Sequence, residues 1–295
     1  MLTKSNPLKQ NQNEFLMQKK NLSCTICNSS TRLETKYEFW DVFRCTYCSH
    51  AFSANITKSI ENIYDENYFE KNWFLYPNFK LFKTIDKTIR REFGPEARIH
   101  DLGCGNGNLL QYLYQKGYRN LYGSDIVSCL IPNLEELINF QQTDALKIKD
   151  KEAYDVVISI ANIEHLSDIN SYMVKLREIL VPEGLAIIYT INESALIYTI
   201  AKIMRKFGIG FAAKQLFDPH HINHLNKRSL TQLAKKHGFE IISLQTLNYP
   251  LKSTDVFLQS PLMRILVLTG IFFTNLASSL LKSEISQLLF IRPKP

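Results

Sequence analysis

Residues 98–113 read RIHDLGCGNGNLLQYL, and no other part of the chain constrains the architecture as strongly. An apolar run ends at Asp101, and three glycines at alternating positions lead from it into a helical pattern. Glycines at such a turn let a ligand approach the backbone, and the unpaired N–H groups of the helix can bind it. The segment therefore predicts a strand, a ligand-binding turn and a helix, with a turn that binds nothing as the alternative. The last glycine of a G-x-G-x-x-G fingerprint is missing at position 108, so a dinucleotide dehydrogenase fits less well.

Short apolar runs alternate with helical segments after the break at Gly94-Pro95, which is typical of parallel βα units. A helix over 168–180 is expected to end at the sequence VPEG, and a later helix ends at Gly238. The chain therefore predicts an α/β fold with seven strands. These are expected at 98–102, 121–125, 138–141, 155–160 and 185–191, then directly after Gly238 and in the final SQLLFIRPKP.

Two further carboxylates follow predicted strands. Asp125 in YGSDI comes 24 residues after Asp101, at the carboxyl edge of the next strand. A carboxylate there can accept both hydroxyls of a ribose, although an acid after a strand can also simply cap the next helix. Asp144 in QQTDAL falls where a third loop meets the same crevice, but by itself it is typical of a solvated turn.

Four of the six cysteines form two C-x-x-C pairs separated by 17 residues. Such pairs supply the four thiolates that tetrahedral Zn²⁺ prefers. Four thiolates close the coordination sphere, so a structural metal is expected, the alternative being four unligated thiols. His50 is expected to be a bystander. The expected ligands are Cys24, Cys27, Cys45 and Cys48, in a self-contained zinc ribbon with a short hairpin.

Composition and charge set broader bounds. The chain has 295 residues, of which 45% are hydrophobic and 21% charged, as is usual for a globular protein with a sizeable core. A net charge of +7 tolerates phosphate, nucleic acid or anionic lipid without selecting any of them. The polar start carries no apolar run of a secretory signal, which favours the cytoplasm, a reducing compartment where paired cysteines bind metal. Nothing in the sequence specifies the oligomeric state.

The segments HDLGCGNGNLL, YGSDI, TDAL, YDVVISIANIEHLSD and LREILVPEGLAIIYTIN resemble, in order and separation, the motifs of class I S-adenosylmethionine-dependent methyltransferases. The resemblance covers residues 99–191 motif by motif and extends more loosely to 292. It implies a Rossmann-like seven-stranded sheet with a reversed last strand and S-adenosyl-L-methionine as cofactor. The implied contacts are Asp101, Gly103 and Gly105, with Cys104 and Gly107, for the aminoacyl end, Asp125 beside Ile126 for the ribose, and Asp144 and Ala145 for the adenine edge.

In this family the motif after the fourth strand, here Asn162-Ile163-Glu164-His165, faces the methyl donor and acceptor. Methyl transfer from a sulfonium gains most from alignment of the reacting atoms, and a base is needed only for a hydroxyl, carbon or protonated amine acceptor. A histidine suits that role, but it can equally bond a carbonyl and fix the loop. The candidate catalytic residues are His165 and Glu164, with His221 of DPHHINHLNKRSL ranked lower.

A cysteine ribbon followed by YDENYF and a methyltransferase core is similar to bacterial zinc-ribbon methyltransferases associated with sugar, surface-polysaccharide and metabolite tailoring. The resemblance implies a small-molecule or carrier-linked acceptor. It also implies that Tyr64 and Tyr68 cover the cofactor, unless they are simply core contacts. The expected organisation is a flexible arm at 1–21, the ribbon at 22–54, a helical connector at 55–94 and the methyltransferase domain at 95–295.

Two hydrophobic inserts interrupt this domain, at about 194–216 and 257–284. In the first, Lys202, Arg205 and Lys206 share one helical face opposite an apolar face. The second approaches the ~20 apolar residues that span a bilayer, but a single crossing would separate two strands of one sheet. Both inserts are expected to form a lid over the acceptor pocket, or else a weak in-plane contact at the inner face of the membrane.

Two other functions are open to this sequence. Some RNA methyltransferases also begin with a zinc ribbon, but only Arg32, Lys36 and Arg44 supply positive charge here, and the site lacks an Asn-Pro-Pro-Tyr base pocket. A non-catalytic binding module is the other alternative, against which the glycine turn followed by Asp125 argues. A nucleic-acid partner is therefore not expected.

Overall fold

A computed structural model describes residues 22–56, 75–253 and 261–295. The predicted arm, Tyr64 and Tyr68 lie outside the described residues, as does most of the first half of the connector. The N-terminal region contains β1 (Thr31–Lys36), β2 (Asp41–Cys45) and β3 (Ala51–Ala54). Helix α1 (Phe79–Glu92) leads to β4 (Ile99–Leu102), α2 (Asn108–Gln115), β5 (Leu121–Asp125), β6 (Asn139–Gln142), β7 (Tyr154–Ile160), α3 (Ile169–Ile179) and β8 (Leu180–Ile191). The remaining elements are α4 (Leu196–Lys206), α5 (Phe211–Leu216), β9 (Asn223–His224), α6 (Lys227–Lys236), β10 (Phe239–Leu247), α7 (Pro261–Leu280) and β11 (Ser286–Pro293).

The central sheet has seven strands in the order β10-β11-β8-β7-β4-β5-β6. Strands β4 to β8 run parallel, whereas β11 is antiparallel to both of its neighbours, β8 and β10. The predicted α/β class and the reversed last strand are therefore confirmed. Because β4 is central and β5 and β7 flank it, the loops after these three strands meet at one edge of the sheet.

The sheet is buried on both faces, which explains the nearly continuous apolar runs in its strands. Alternate residues of β8 point to opposite sides, so Ile187 packs in one core layer and Ile188 in the other. Helix α1 covers one face through Leu81, Ile85 and Ile89, which repeat at helical spacing and are all buried. The amphipathic pattern of the sequence is sufficient to predict that helix.

The cysteine ribbon differs from the self-contained unit that its spacing predicts. Strands β1, β2 and β3 form a small sheet whose fourth strand is β9, which belongs to the methyltransferase region and lies about 170 residues later in the chain. In that ladder Ala51 pairs with His224 and Phe52 with Asn223. Cysteines of the ribbon also share a buried cluster with Tyr172 of the large domain. The ribbon and the central sheet are therefore one packed body.

A group of buried charges fastens the ribbon to the end of β8. Nη1 of Arg44 donates to Glu193 at 3.0 Å, and its Nε donates to Glu34 at 2.6 Å. The Arg44 side chain is 13% exposed and that of Glu193 only 3%. Lys202 of α4 also contacts Glu193 and Glu34. The charges of this group are balanced, which burial requires.

We expect Arg44→Ala to destabilise the protein by about 3 kcal/mol, because it leaves Glu193 buried with Lys202 as its remaining cation. Urea unfolding measures this difference. The matched control is Arg98→Ala, since Arg98 pairs with Asp155 at 2.8 Å but is 43% exposed and is therefore expected to contribute less than about 1 kcal/mol. Equal losses for the two variants would show that the buried group does not secure the ribbon.

Candidate active site

The turn after β4 requires glycine at two of its positions. Gly103, Gly105 and Gly107 all have positive φ angles, of 74°, 54° and 80°. A Cβ on Gly103 would lie 2.7 Å from the side chain of Asn162, and one on Gly107 would lie 2.3 Å from Leu134. The turn therefore presents bare backbone at the carboxyl edge of the sheet, as the sequence predicts.

Asp125 closes this turn from the end of β5. One of its oxygens accepts a hydrogen bond from the N–H of Gly105 at 2.8 Å, and the other accepts from Val127 at 3.1 Å. Each oxygen keeps a second lone pair for a ligand. The side chain of Ile126, the next residue, is 53% exposed and is therefore accessible to a ligand.

Three more candidate cofactor residues are Asp144 and Ala145 in the loop after β6 and Cys104 inside the glycine turn. Asp144 caps the short helix Ala145–Lys147 by accepting from the N–H of Leu146 at 2.9 Å. Thr143 bonds the carbonyl of Asp125 at 2.8 Å, which joins this loop to the end of β5. The thiol of Cys104 packs against Gly123 of β5, so Cys104 contributes backbone to the turn.

Asp101 is the most unusual group of the turn. It is 2% exposed, and its Oδ1 has no hydrogen-bond partner among the described residues. Burial, and then the negative charge of Asp125, raise the pKa of Asp101 to about 7. A buried carboxylate without a donor is unfavourable, so this oxygen fits a cationic ligand group that enters the turn.

The loop after β7 supplies the opposite wall. Ala161 has a φ of 49°, a strained backbone for a residue with a side chain. The amide of Asn162 donates to the carbonyl of Leu102 at 3.0 Å and to the hydroxyl of Tyr172 at 3.2 Å. This amide therefore holds the loop against the glycine turn, a role that the sequence motif does not reveal.

Glu164, His165 and His221 come together at this wall. Their ligating atoms lie within 4.8 Å of one another, so the tertiary structure unites two segments that are far apart in sequence. Glu164 is 1% exposed and accepts a hydrogen bond from Thr190 at 2.8 Å. Burial raises the pKa of Glu164, whereas burial and the neighbouring histidines hold the pKa of His221 well below its usual value. His221 is therefore neutral at physiological pH.

The orientation of His165 is fixed by a backbone carbonyl. Its Nδ1 lies 3.0 Å from the carbonyl oxygen of His220. Since a carbonyl only accepts, Nδ1 carries the proton and Nε2 of the neutral ring is an acceptor. The sequence leaves base and scaffold open as roles for His165, and this bond is compatible with both, because it engages Nδ1 and not Nε2.

The ribbon positions the histidine loop. The N–H of Ser53 in β3 donates to the carbonyl of Ile222 at 2.8 Å, and its hydroxyl donates to the carbonyl of His221 at 3.1 Å. From β9, the amide of Asn223 donates to the carbonyl of Leu166 at 2.6 Å, just beyond His165. Neither Ser53 nor Asn223 has a sequence signal, because both act through contacts between distant segments.

The four paired cysteines converge at the base of the ribbon. Their sulfur atoms all lie within 4.8 Å of one another, and three of the four residues are buried. Tetrahedral Zn²⁺ with bonds of ~2.3 Å would separate sulfurs by ~3.8 Å, which this cluster matches. N–H groups of Ile26 and Tyr47 point to the sulfurs of Cys24 and Cys45, at 3.4 and 3.3 Å. His50 is buried but is not part of the cluster.

A seven-stranded sheet with one reversed strand, a glycine turn after its central strand and a carboxylate at the end of the next strand define a class I S-adenosylmethionine-dependent methyltransferase. The chain belongs to the methyltransferase domain family, which matches residues 79–244. The protein is therefore an enzyme of this class.

The chain is also similar to curated relatives, at low sequence identity and over part of the length of each relative. The chain is 26% identical over 167 residues to the ubiquinone biosynthesis O-methyltransferase of Rickettsia canadensis, a match that covers 54% of this chain and 70% of that protein. It is 27% identical over 160 residues to the enzyme of the same name from Rickettsia bellii, covering 52% of this chain and 66% of the relative.

Solved structures share the fold. The 1,6-didemethyltoxoflavin-N1-methyltransferase of Burkholderia thailandensis matches with a TM-score of 0.53 at 11% identity and covers 90% of this chain and all of its own. The magnesium protoporphyrin IX methyltransferase of Synechocystis has a TM-score of 0.53 at 15% identity, over 80% of this chain and 98% of its own. Both were solved with S-adenosylhomocysteine, the demethylated cofactor.

The burial of Asp101 predicts a pH-dependent stability in the absence of ligand. Its pKa is about 7 in the fold and ~3.9 in the unfolded chain, so ionisation destabilises the fold increasingly as the pH rises through this range. We expect Asp101→Asn to be a few kcal/mol more stable relative to wild type at pH ~8 than at pH ~4. Chemical unfolding at the two pH values measures the difference.

The control for this prediction is Asp168→Asn. Hydrogen bonds from the hydroxyl and then the N–H of Ser171 lower the pKa of Asp168, so its removal costs stability at neutral pH and progressively less in acid. The two variants should therefore change the pH dependence in opposite directions. A parallel response would contradict the assignment of a raised pKa to Asp101.

Proposed function

We propose that the protein methylates a hydroxyl group on a small-molecule or carrier-linked acceptor, with His165 as the general base. The observation that carries the proposal is the bond from Nδ1 of His165 to the carbonyl of His220, which leaves Nε2 to accept a proton. The names of the curated relatives, O-methyltransferases of a small-molecule pathway, favour an oxygen acceptor. An acceptor hydroxyl is a weak nucleophile and benefits from a base, in contrast to a neutral amine.

Residues on the other side of the cleft are proposed to bind the cofactor. S-adenosylmethionine supplies an electrophilic methyl group on a sulfonium. The unpaired oxygen of Asp101 fits the ammonium of the aminoacyl end, since a cation there offsets the cost of a buried carboxylate. The remaining lone pairs of Asp125 suit the ribose hydroxyls, and the exposed side chain of Ile126 with Asp144 and Ala145 suits the adenine.

Glu164 is proposed to hold the base in place and not to act as a base itself. It is buried and accepts from Thr190, and it lies beside His165 and His221. A carboxylate at this position stabilises the positive charge that His165 acquires when it takes a proton. His221, neutral and fixed through Ser53, is proposed to line the acceptor side.

The contacts of the ribbon argue against an RNA substrate. Arg44, one of the three basic residues counted for RNA, is occupied by Glu34 and Glu193, which leaves Arg32 and Lys36 as the exposed pair. A nucleic-acid surface needs several exposed cations along one face. We therefore retain the small-molecule or carrier-linked acceptor, a sugar, surface-polysaccharide, lipid or metabolite precursor, in keeping with the resemblance to zinc-ribbon methyltransferases.

We infer that the cysteine cluster binds one structural Zn²⁺. Four sulfurs within 4.8 Å fit tetrahedral coordination and leave no open position for substrate. The metal would stabilise β2 and β3, and through β9 the loop that carries His220 and His221. Its role in the reaction is therefore to keep that loop in place.

His165→Asn tests the base. Asparagine keeps a donor for the His220 carbonyl but provides no base, so we expect kcat for a hydroxyl acceptor to fall by about 10²–10⁴ while the affinity for S-adenosylmethionine is unchanged. Transfer of labelled methyl groups to a panel of phenols, sugars and amines gives kcat, and calorimetry gives the affinity. Wild-type kcat in this variant would refute the base, and absence of binding heat with both S-adenosylmethionine and S-adenosylhomocysteine would refute the cofactor site.

Metal analysis tests the zinc site. We expect one Zn²⁺ per purified chain, and none in the Cys24→Ser, Cys45→Ser double variant, whose melting temperature should fall because the ribbon shares the protein core. Cys129→Ser is the matched control, since Cys129 lies outside the cluster, and it should retain the metal. Stoichiometric zinc in the double variant would show that other groups bind it.

A further inference from the structure

The two inserts place an extended apolar surface in contact with solvent. Helix α7 is long and apolar enough to cross a membrane by length and composition, yet only 6% of its most apolar stretch is buried. Of the 25 large hydrophobic side chains that are exposed among the described residues, 14 belong to the inserts. They are Ile200, Ile203, Phe207, Ile209, Phe211, Leu262, Met263, Ile265, Leu266, Phe272, Phe273, Leu276, Leu280 and Leu281. A cluster of exposed apolar side chains such as this one marks a binding surface.

Helix α4 has its charged face turned toward the protein. Lys202 contacts Glu193 and Glu34, and Arg205 donates to the Thr35 hydroxyl at 2.6 Å and lies over the ring of Tyr37. Two of the three cations on the predicted basic face, Lys202 and Arg205, therefore make contacts with the ribbon. The third, Lys206, is exposed. The apolar side of the helix lies outward, with Phe207 82% exposed.

Helix α7 is arranged in the same way. Asn275, Ser278 and Ser279 form a polar stripe at helical spacing on one side of α7. The amide of Asn248, just after β10, donates to the backbone carbonyl of Asn275 and to the hydroxyl of Ser279, and the hydroxyl of Ser278 donates to the Asn248 side-chain oxygen. The polar stripe therefore attaches the helix to the domain, while most of the large apolar side chains of the helix are exposed. This distribution differs from that of the predicted lid, in which the apolar face would be covered.

Charge distinguishes a lipid surface from other occupants. Residues 195–216 and 261–283 contain six Lys or Arg and no Asp or Glu. Four of the six, Lys206, Lys214, Arg264 and Lys282, are exposed beside the apolar side chains. Cations next to an apolar face match the anionic headgroups and acyl chains of a bilayer, and long basic side chains can extend to the headgroups. A self-association surface with this charge would place like charges together.

The topology determines how such a helix meets a bilayer. Leu247 pairs with Ser286, so the connection that contains α7 leaves and rejoins the sheet at one edge. Ser286 also pairs with Ile191, the end of β8, after which α4 begins. The parallel strands β7 and β8 end at this same edge, where the loop with His165 lies. A single crossing by α7 would separate two strands of one sheet, so a contact in the plane of the bilayer at this edge is the arrangement that the topology allows.

We propose that α4, α5 and α7 form a monotopic surface that binds the plane of an anionic phospholipid bilayer. The apolar side chains of α7 enter the acyl boundary, and the exposed cations contact the headgroups. The evidence for this surface is independent of the proposed methyl transfer. If the proposed methyl transfer is also correct, an amphiphilic or lipid-linked acceptor would reach the active site from the membrane.

Flotation of the purified full-length chain with vesicles tests the proposal without cofactor or acceptor, so its outcome is independent of the proposed function. One vesicle type contains equal parts of phosphatidylcholine and phosphatidylglycerol, and the other phosphatidylcholine alone. We expect binding to the anionic vesicles, weaker binding at high salt and weaker binding to the neutral ones. Phe272→Glu, Phe273→Glu should reduce binding by roughly tenfold or more.

The matched control is Val174→Glu, Ile242→Glu, which introduces the same charge at exposed apolar positions outside the inserts and should float like wild type. Circular dichroism verifies that each variant is folded. Three outcomes overturn the proposal: no flotation with either vesicle, flotation that the Phe272 and Phe273 changes leave intact, or a dimer in light scattering that those changes abolish while no flotation occurs.

Discussion

The short ladder between β3 and β9 connects the two parts of this protein. It joins a strand that follows the last cysteine pair to a strand that follows the site histidines, about 170 residues later in the chain. Through Ser53 the ladder holds the carbonyls of His221 and Ile222, and the neighbouring carbonyl of His220 holds His165. The orientation of the proposed base therefore depends on the ribbon, although the ribbon itself contributes no group to the cleft.

The fold contains two kinds of charged group removed from solvent, those paired with opposite charges and the carboxyl group of Asp101. Arg44, Glu193, Glu34 and Lys202 compensate one another, which suits a structural contact between ribbon and sheet. Oδ1 of Asp101 has no such partner among the residues described by the structure, and burial, followed by the negative charge of Asp125, raises the pKa of Asp101. Uncompensated buried carboxylates are typical of binding sites, because a ligand supplies the missing partner. The contrast separates the groups that secure the ribbon from the carboxylate that is proposed to bind the cofactor.

The inserts show that an amphipathic pattern does not reveal which of its faces lies outward. The basic residues of α4 and the polar stripe of α7 are the sides that attach to the domain. Two acidic side chains, Glu34 and Glu193, lie where α4 packs, so its cations are more stable there than its apolar residues would be. The side of α4 that packs on the domain thus carries Lys202 and Arg205 together with the buried Tyr198 and Ala201, while Ile200, Ile203 and Phe207 face solvent.

The sequence by itself determined the α/β class, the glycine turn and the positions of the strands along the chain. These follow from local patterns: apolar runs, glycines at positive φ and a stop such as VPEG are set by neighbouring residues. The expected strand at 121–125 agrees with β5 residue for residue, and the others differ by a few residues at their ends. The clustering of the four cysteines also follows from their spacing, because two short knuckles need only one hairpin to meet.

Only the tertiary structure decided how distant segments combine. It placed β9 in the ribbon sheet, brought His221 to Glu164 and His165, paired Arg44 with Glu193 and turned the cations of α4 inward. No local pattern encodes these contacts, since each depends on the free energy of packing two surfaces that are far apart in the chain. For Arg44 the sequence shows a surface cation, and only burial against Glu193 makes it part of the core.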